Sequence, residues 1–179
     1  MNTPFKEQVS MDFQWKAWCV PGHLPYSNIF HIEFTIMTIK QLSIFIENQS
    51  GALLRVLKML RDNGISIIVS TLGDTDGFGI YRIICNDTEK AFKILREKNI
   101  SATISNVYGI RLAENKPGAA AEVVEMMNEG GVSIKYLYSF LYAGKGIIVF
   151  RPDNNDKAEE TIMLKKLDYI TEEDLAHQG

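Results

Sequence analysis

From Ile39 onward the chain is written in two periods. Leu42, Ile44 and Ile46 alternate with Ser43 and Phe45, which predicts a strand with one fully apolar face ending at Glu47-Asn48. The period then lengthens. Leu53, Val56, Leu57 and Leu60 recur at helical spacing, with Ser50 placed to cap the helix and Asn63-Gly64 to end it. A β-branched run over 65–72 predicts a strand, Asp74-Thr75-Asp76-Gly77 a hairpin turn, and 78–85 the returning strand. Asp87 is set to cap a second helix through Ala91, Phe92 and Leu95, closing at Lys98-Asn99, and 100–107 reads as a last strand. The order is β-α-β-β-α-β.

The same text recurs 67 residues later. Leu53, Val56, Leu57 and Leu60 correspond to Ala120, Val123, Val124 and Met127; Gly64, Ser66 and Gly77 correspond to Gly131, Ser133 and Gly144. Pro117 falls where a first helical turn tolerates its missing N–H. The second pass predicts strands over 132–142 and 147–150, a helix over 156–166 and a short strand over 169–175, with the spacing drifting by a residue or two after the hairpin. A repeat of this length and order predicts an α+β protein of two ferredoxin-like βαββαβ units. Each antiparallel sheet should carry helices on one face and leave the other for a partner. We assign 1–36 to an irregular extension, 37–106 to the first repeat and 107–179 to the second.

Residues 1–36 have no sustained period, yet hold Trp15, Trp18, His23, His31 and three prolines. Cys19 and His23 have ligand spacing but are two of the four ligands a structural zinc site needs. A net charge of −3 argues against nucleic-acid and anionic-membrane partners. The apolar runs are too short to span a bilayer. Two cysteines, Cys19 and Cys85, and no signal-peptide pattern fit a cytoplasmic protein. Catalysis has little to stand on. Within the repeats His177 is the one histidine, and no carboxylate pair, Ser-His arrangement or metal-spaced cluster occurs. Cys85 reads as a small buried hydrophobe. Asp74 to Gly77 is no calcium loop, because Cys85 stands where the bidentate Glu would be. The aromatics do not match between repeats as an RNA-binding sheet of this topology requires. No enzyme activity, cofactor or metal is expected.

The repeated strand-to-helix turn offers a different chemistry. Asn48-Gln49-Ser50-Gly51-Ala52-Leu53 and Asn115-Lys116-Pro117-Gly118-Ala119-Ala120 each precede a helix N-terminus, which presents unpaired N–H groups to a small anion. Gly51 and Gly118 would let it approach the backbone, and each Asn can both donate and accept. A plain helix-capping turn accounts for the same residues.

A βαββαβ unit whose first turn reads Asn-x-Pro-Gly, with Gly and a small polar residue closing the first helix, resembles the ACT domain, a regulatory module mostly for amino acids. The resemblance covers about 38–175 in tandem. It implies ligand contacts from Asn48 and Asn115, from the turns 49–53 and 116–120, and from Ser66 and Ser133. Ser50 departs from the usual Pro, and Ala120 from a larger apolar residue.

Topology sends Asn48 and Ser66 to opposite ends of one sheet, so one domain cannot close a pocket. Joining the two second-strand edges within one chain needs several strand spacings, more than the short linker spans. A homodimer with sites completed between chains is therefore expected. The resemblance implies a non-catalytic sensor that binds a small amino acid and alters a metabolic enzyme. The alternative is a dedicated regulatory subunit similar to the acetolactate synthase small subunit.

Overall fold

The computed structural model describes residues 37–75, 77–113 and 116–176. The extension 1–36, with its Cys19 and His23, and also Asp76, Asn115 and His177, lie outside the described residues.

β1 (Thr38–Glu47) leads through a turn into α1 (Ala52–Asp62); β2 (Ile67–Thr75) and β3 (Phe78–Cys85) form a hairpin; α2 (Thr88–Glu97) and β4 (Ala102–Arg111) follow. Then come α3 (Ala119–Glu129), β5 (Ile134–Tyr142), β6 (Lys145–Pro152), α4 (Asn155–Leu164), β7 (Tyr169–Ile170) and α5 (Glu172–Ala176). Adding 67 to α1, β2, β3 and α2 gives α3, β5, β6 and α4 residue for residue. The expected drift after the hairpin is absent. Asp87 and Asn154 cap their helices through Lys90 and Lys157 N–H, and Asn99 and Lys166 both take positive φ, each pair 67 apart. Even the β-bulges recur, at Ile67/Val69 and Ile134/Tyr136. What shifts is β4, where the sheet register relates the first strands of the two repeats by 66.

Strand order is β2-β3-β1-β4-β6-β5, with β7 also on β4. β4 closes the first repeat and opens the second. It pairs with β1 over Ala102 to Tyr108 and with β6 over Tyr108 to Arg111. The 100–107 strand thus runs on to Arg111, and the expected boundary at 106/107 lies inside it. In an antiparallel strand the N–H and C=O of one residue face the same edge. Arg111 N–H reaches Asp168 O beside β7, Ser101 O accepts from Phe45 beside β1, and Leu112 N–H reaches Gly146 O beside β6. So β1 and β7 lie end to end along one edge of β4, and β6 lies along the other.

Alternation sorts the two faces. Leu42, Ile44 and Ile46 pack beneath α1 and α2; Tyr108, Ile110, Ile148 and Phe150 pack beneath α3 and α4. The opposite faces, expected to await a partner, meet each other. Ile39 and Ile84 of the first repeat pack with Val107, Ile147, Val149 and Ile170. Four layers result, with helices outside and two sheet faces within. Between those faces Gln41 is wholly buried. Its Nε2 donates to Tyr136 Oη at 2.6 Å and to Ser43 Oγ, and its Oε1 accepts from Tyr138 Oη at 2.9 Å. The Arg82 guanidinium lies 4.2 Å above the Tyr136 ring.

The predicted strand over 169–175 ends at Ile170. Thr171-Glu-Glu-Asp forms a capping box, with Thr171 Oγ1 accepting Asp174 N–H and Asp174 Oδ2 accepting Thr171 N–H, and it turns the chain into α5. β2 likewise starts at Ile67, because Ser66 N–H is committed to Asn86 Oδ1.

Candidate functional site

Both repeated turns have one backbone design. Ala52 N–H bonds Gln49 O, and Ala119 N–H bonds Lys116 O. Gly51 (φ 84, ψ −9) and Gly118 (φ 93, ψ −11) occupy the third position, which a type II turn requires to be left-handed. This corrects two expectations. Ser50 does not cap α1, since Gly51 is the N-cap residue and no side chain bonds there; Ser50 and Pro117 hold the second position of their turns, before the helix starts. The glycines serve backbone sign rather than close packing, for a β-carbon on either meets nothing within 4 Å.

Inside each helix start, Arg55 and Glu122 N–H return to Gly51 and Gly118 O. The amides of Leu53 and Leu54, and of Ala120 and Ala121, are the ones the helix geometry leaves for water or a ligand. Beside the first turn lies a small hollow of about 180 Å³, lined by Ile46, Glu47, Asn48, Gln49, Leu53, Leu72 and Gly79. Asn48 Nδ2 donates to Asp74 Oδ1 at 2.8 Å, and its Oδ1 overhangs Gly79. That bond ties the turn to the hairpin end of β2. At the second turn Lys116 Nζ lies 3.4 Å from Glu122.

Ser66 sits at the other end of β2 from Asp74, a strand length of roughly 25 Å away at about 3.3 Å per residue. Ser66 and Ser133 are held alike: their N–H groups bond Asn86 Oδ1 and Asp153 Oδ1, and their carbonyls accept Asn86 and Asp153 N–H. Their hydroxyls have no partner among the described residues. The structure brings Asn48, Gln49 and Leu53 together around one hollow and keeps Ser66 apart from them. Leu72 and Gly79 also line that hollow, and Asp74 holds the Asn48 side chain beside it. The hairpin signal around Asp74 is readable in the sequence, but the pairing of Gly79 with Ile46 that brings it to Asn48 is a matter of register.

Among the described residues, no group of three His, Cys, Asp or Glu side chains is placed to hold a metal. No described helix is long and apolar enough to cross a membrane. Cys85 is buried, and burial pushes its thiol pKa up, away from the thiolate a nucleophile needs.

Two βαββαβ units sharing one strand, with the same glycine turn opening each first helix, define a tandem regulatory fold of the ferredoxin-like type. The family model for an ACT domain pair matches residues 37–178, and the chain belongs to that family. It is an ACT-domain regulatory protein. The chain is similar to protein BT0572 from Bacteroides thetaiotaomicron at 38% identity and a TM-score of 0.73, covering 79% of this chain and 97% of that one. The regulatory subunit of aspartate kinase from Thermus thermophilus, in a ligand-free form, shares the fold at 17% identity and a TM-score of 0.54, over 74% of this chain and 93% of that one. The corresponding subunit from Thermus flavus aligns at 17% identity with a TM-score of 0.52, over 72% of this chain and 92% of that one. No curated protein matches the sequence.

Proposed function

We propose that this protein is a non-catalytic cytoplasmic sensor that binds a small amino acid at the first turn of each ACT repeat and passes the binding event to a metabolic enzyme. One observation carries the reading. The type II turn with a left-handed glycine, and the two open helix amides after it, recur at an offset of 67 with matching backbone geometry. A carboxylate suits those amides, and the Asn48 amide beside them both donates and accepts.

Each turn is half of a pocket. The other half is the Ser66 or Ser133 hydroxyl of a domain in a second chain, reached by pairing the outer strands. β2 and β5 are the two ends of the strand order, and neither pairs along its outer edge among the described residues. In this reading the pocket comprises Asn48 to Leu53 or Asn115 to Ala120, with the partner's serine closing it, in a homodimer.

Dedicated service to one enzyme as its regulatory subunit is the second reading. Leu141 and Leu164 are each 73% exposed, and Met163 and Leu137 are exposed too, which favours a protein partner on the second repeat. The neighbours described as aspartate kinase regulatory subunits are consistent with it.

Calorimetric titration of the bound amino acid into Asn48→Ala and Asn115→Ala tests the site. Each should weaken binding by about 1–3 kcal/mol. Unchanged affinity in both removes the turns from the pocket, and a monomeric mass by light scattering that still binds removes the shared site.

A further inference from the structure

Each repeat has a hollow where its second-helix start meets the end of its hairpin, and α5 enters only the first, where about 340 Å³ stays open beside it. In the first repeat the ladder between β1 and β3 stops at Leu42 and Ile83. Lys40, two residues beyond, has no strand partner for its N–H. Glu172 supplies one: its Oε1 accepts that amide at 2.5 Å. Behind it Leu175 of α5 seats against Ile39 and Ile84 and is 4% exposed.

In the second repeat the ladder between β4 and β6 stops at Tyr108 and Phe150. Asn106, two residues beyond, is the counterpart of Lys40 and stands directly opposite it. The Phe45–Ser101 bond sets the parity of the β1–β4 ladder, so the pair Lys40–Asn106 is not hydrogen-bonded to each other and Asn106 N–H points the other way. Pro152 stands opposite Asn106 in this register and has no N–H to give the Asn106 carbonyl. The Asn106 backbone faces a hollow of about 530 Å³ that Ser105, Lys135 and Arg151 also line. No described segment enters it as α5 enters the first.

The lining has changed sign as well. Ile68 and Ile84 of the first hollow become Lys135 and Arg151 at 67 residues' offset. Neither cation has an ion-pair partner among the described residues. Ser105 is 8% exposed, and its hydroxyl has no hydrogen-bond partner among them. Two carboxylates line the hollow as well. Asp153 Oδ1 is engaged by Ser133 N–H, and Asp156 is in the first turn of α4. An apolar side chain such as Leu175 has lost its seat here, while the Asn106 N–H points away from β1 as the Lys40 N–H points away from β4.

We propose that this second hollow binds a small dicarboxylate. One carboxylate takes Asn106 N–H and the Ser105 hydroxyl, as Glu172 takes Lys40 N–H. The other lies between Lys135 and Arg151, where charge-assisted bonds are strongest. None of the turn residues lines this hollow, so the site stands whether or not amino acids bind at the turns.

The test is amide chemical-shift titration of the full chain with succinate at constant ionic strength, with a peptide copying residues 171–176 as a second arm. Saturable shifts centred on Asn106 are expected. Lys135→Ile, which installs the residue of the first hollow, and the milder Lys135→Gln should each weaken succinate by about tenfold. Asn48→Ala should leave it unchanged. No saturable shift at Asn106, wild-type affinity in both Lys135 variants, or binding of the peptide without binding of succinate overturns the proposal.

Discussion

Gly109 stands so close to Ile170 that a β-carbon on it would lie 2.5 Å from Ile170 Cγ1 and 3.0 Å from Ile39 Cδ1. This is the place along β4 where β1 ends and β7 begins, so the first, shared and last strands all meet at a residue without a side chain. Gly109→Ala should therefore cost about 1–3 kcal/mol by overpacking. Gly51→Ala meets open space and should cost only about 1–2 kcal/mol through its positive φ. Denaturant midpoints of the two variants check the ranking.

Gln41 holds the two repeats in register from inside. Gln41→Leu keeps the volume but strips a partner from the Tyr136 and Tyr138 hydroxyls in the buried space between the sheets. We expect a loss of about 1–3 kcal/mol by urea denaturation. Adding Tyr138→Phe should cost less on top of Gln41→Leu than in the wild type, because the hydroxyl it removes is already orphaned. Additive losses would show that the bond contributes nothing.

The buried phenols make the fold sensitive to alkali. Burial, and then the hydrogen bond to Glu159, push Tyr108 well above the usual tyrosine range; burial, and then the neighbouring Tyr136, do the same for Tyr138. A raised folded-state value means the neutral phenol is the form the fold favours. Its contribution is complete below the unfolded value of about 10 and shrinks as pH rises past it. Phenolate absorbance should show these two tyrosines ionising together with loss of near-ultraviolet circular dichroism. Ionisation of both while the fold persists would contradict their burial.

The bond from Lys40 N–H to Glu172 should be visible in hydrogen exchange. Glu172→Ala leaves that amide without an acceptor, and its exchange should quicken while Ile44, deeper in β1, stays protected. Thr171→Ala, which breaks the capping box, should act in the same direction at a cost of about 1 kcal/mol to α5. Unaltered exchange at Lys40 in both variants would mean that α5 does not hold the Lys40 amide.

Much of this architecture is legible in the sequence because it is local. Alternation at Leu42, Ile44 and Ile46 and helical spacing at Leu53 to Leu60 need no distant partner, and the 67-residue offset doubles every signal. What escapes depends on register or on competing local chemistry. By its letters Ser50 is the cap of α1, because the type II turn is defined by a φ value at Gly51 that the letters do not state. The drift expected in the second half is an error of spacing that the paired caps Asp87 and Asn154 remove. Thr171-Glu-Glu-Asp carries a capping box in plain view, yet Tyr169 and Ile170 before it read as the start of a longer strand. The meeting of the two sheet faces cannot be read at all, because Gln41 and Tyr138 are 97 residues apart and only the folding of the shared strand brings them together.

If the chain senses an amino acid, its melting temperature is the most direct measure of that. A ligand that binds only the native state raises the midpoint by mass action, by about 2.7 kcal/mol of added stability at one hundred times its dissociation constant. Screened against the twenty amino acids, the protein should be stabilised by one or a closely related few, and that shift should shrink in Asn48→Ala and Asn115→Ala. A melting temperature that no amino acid moves would contradict the amino-acid sensor.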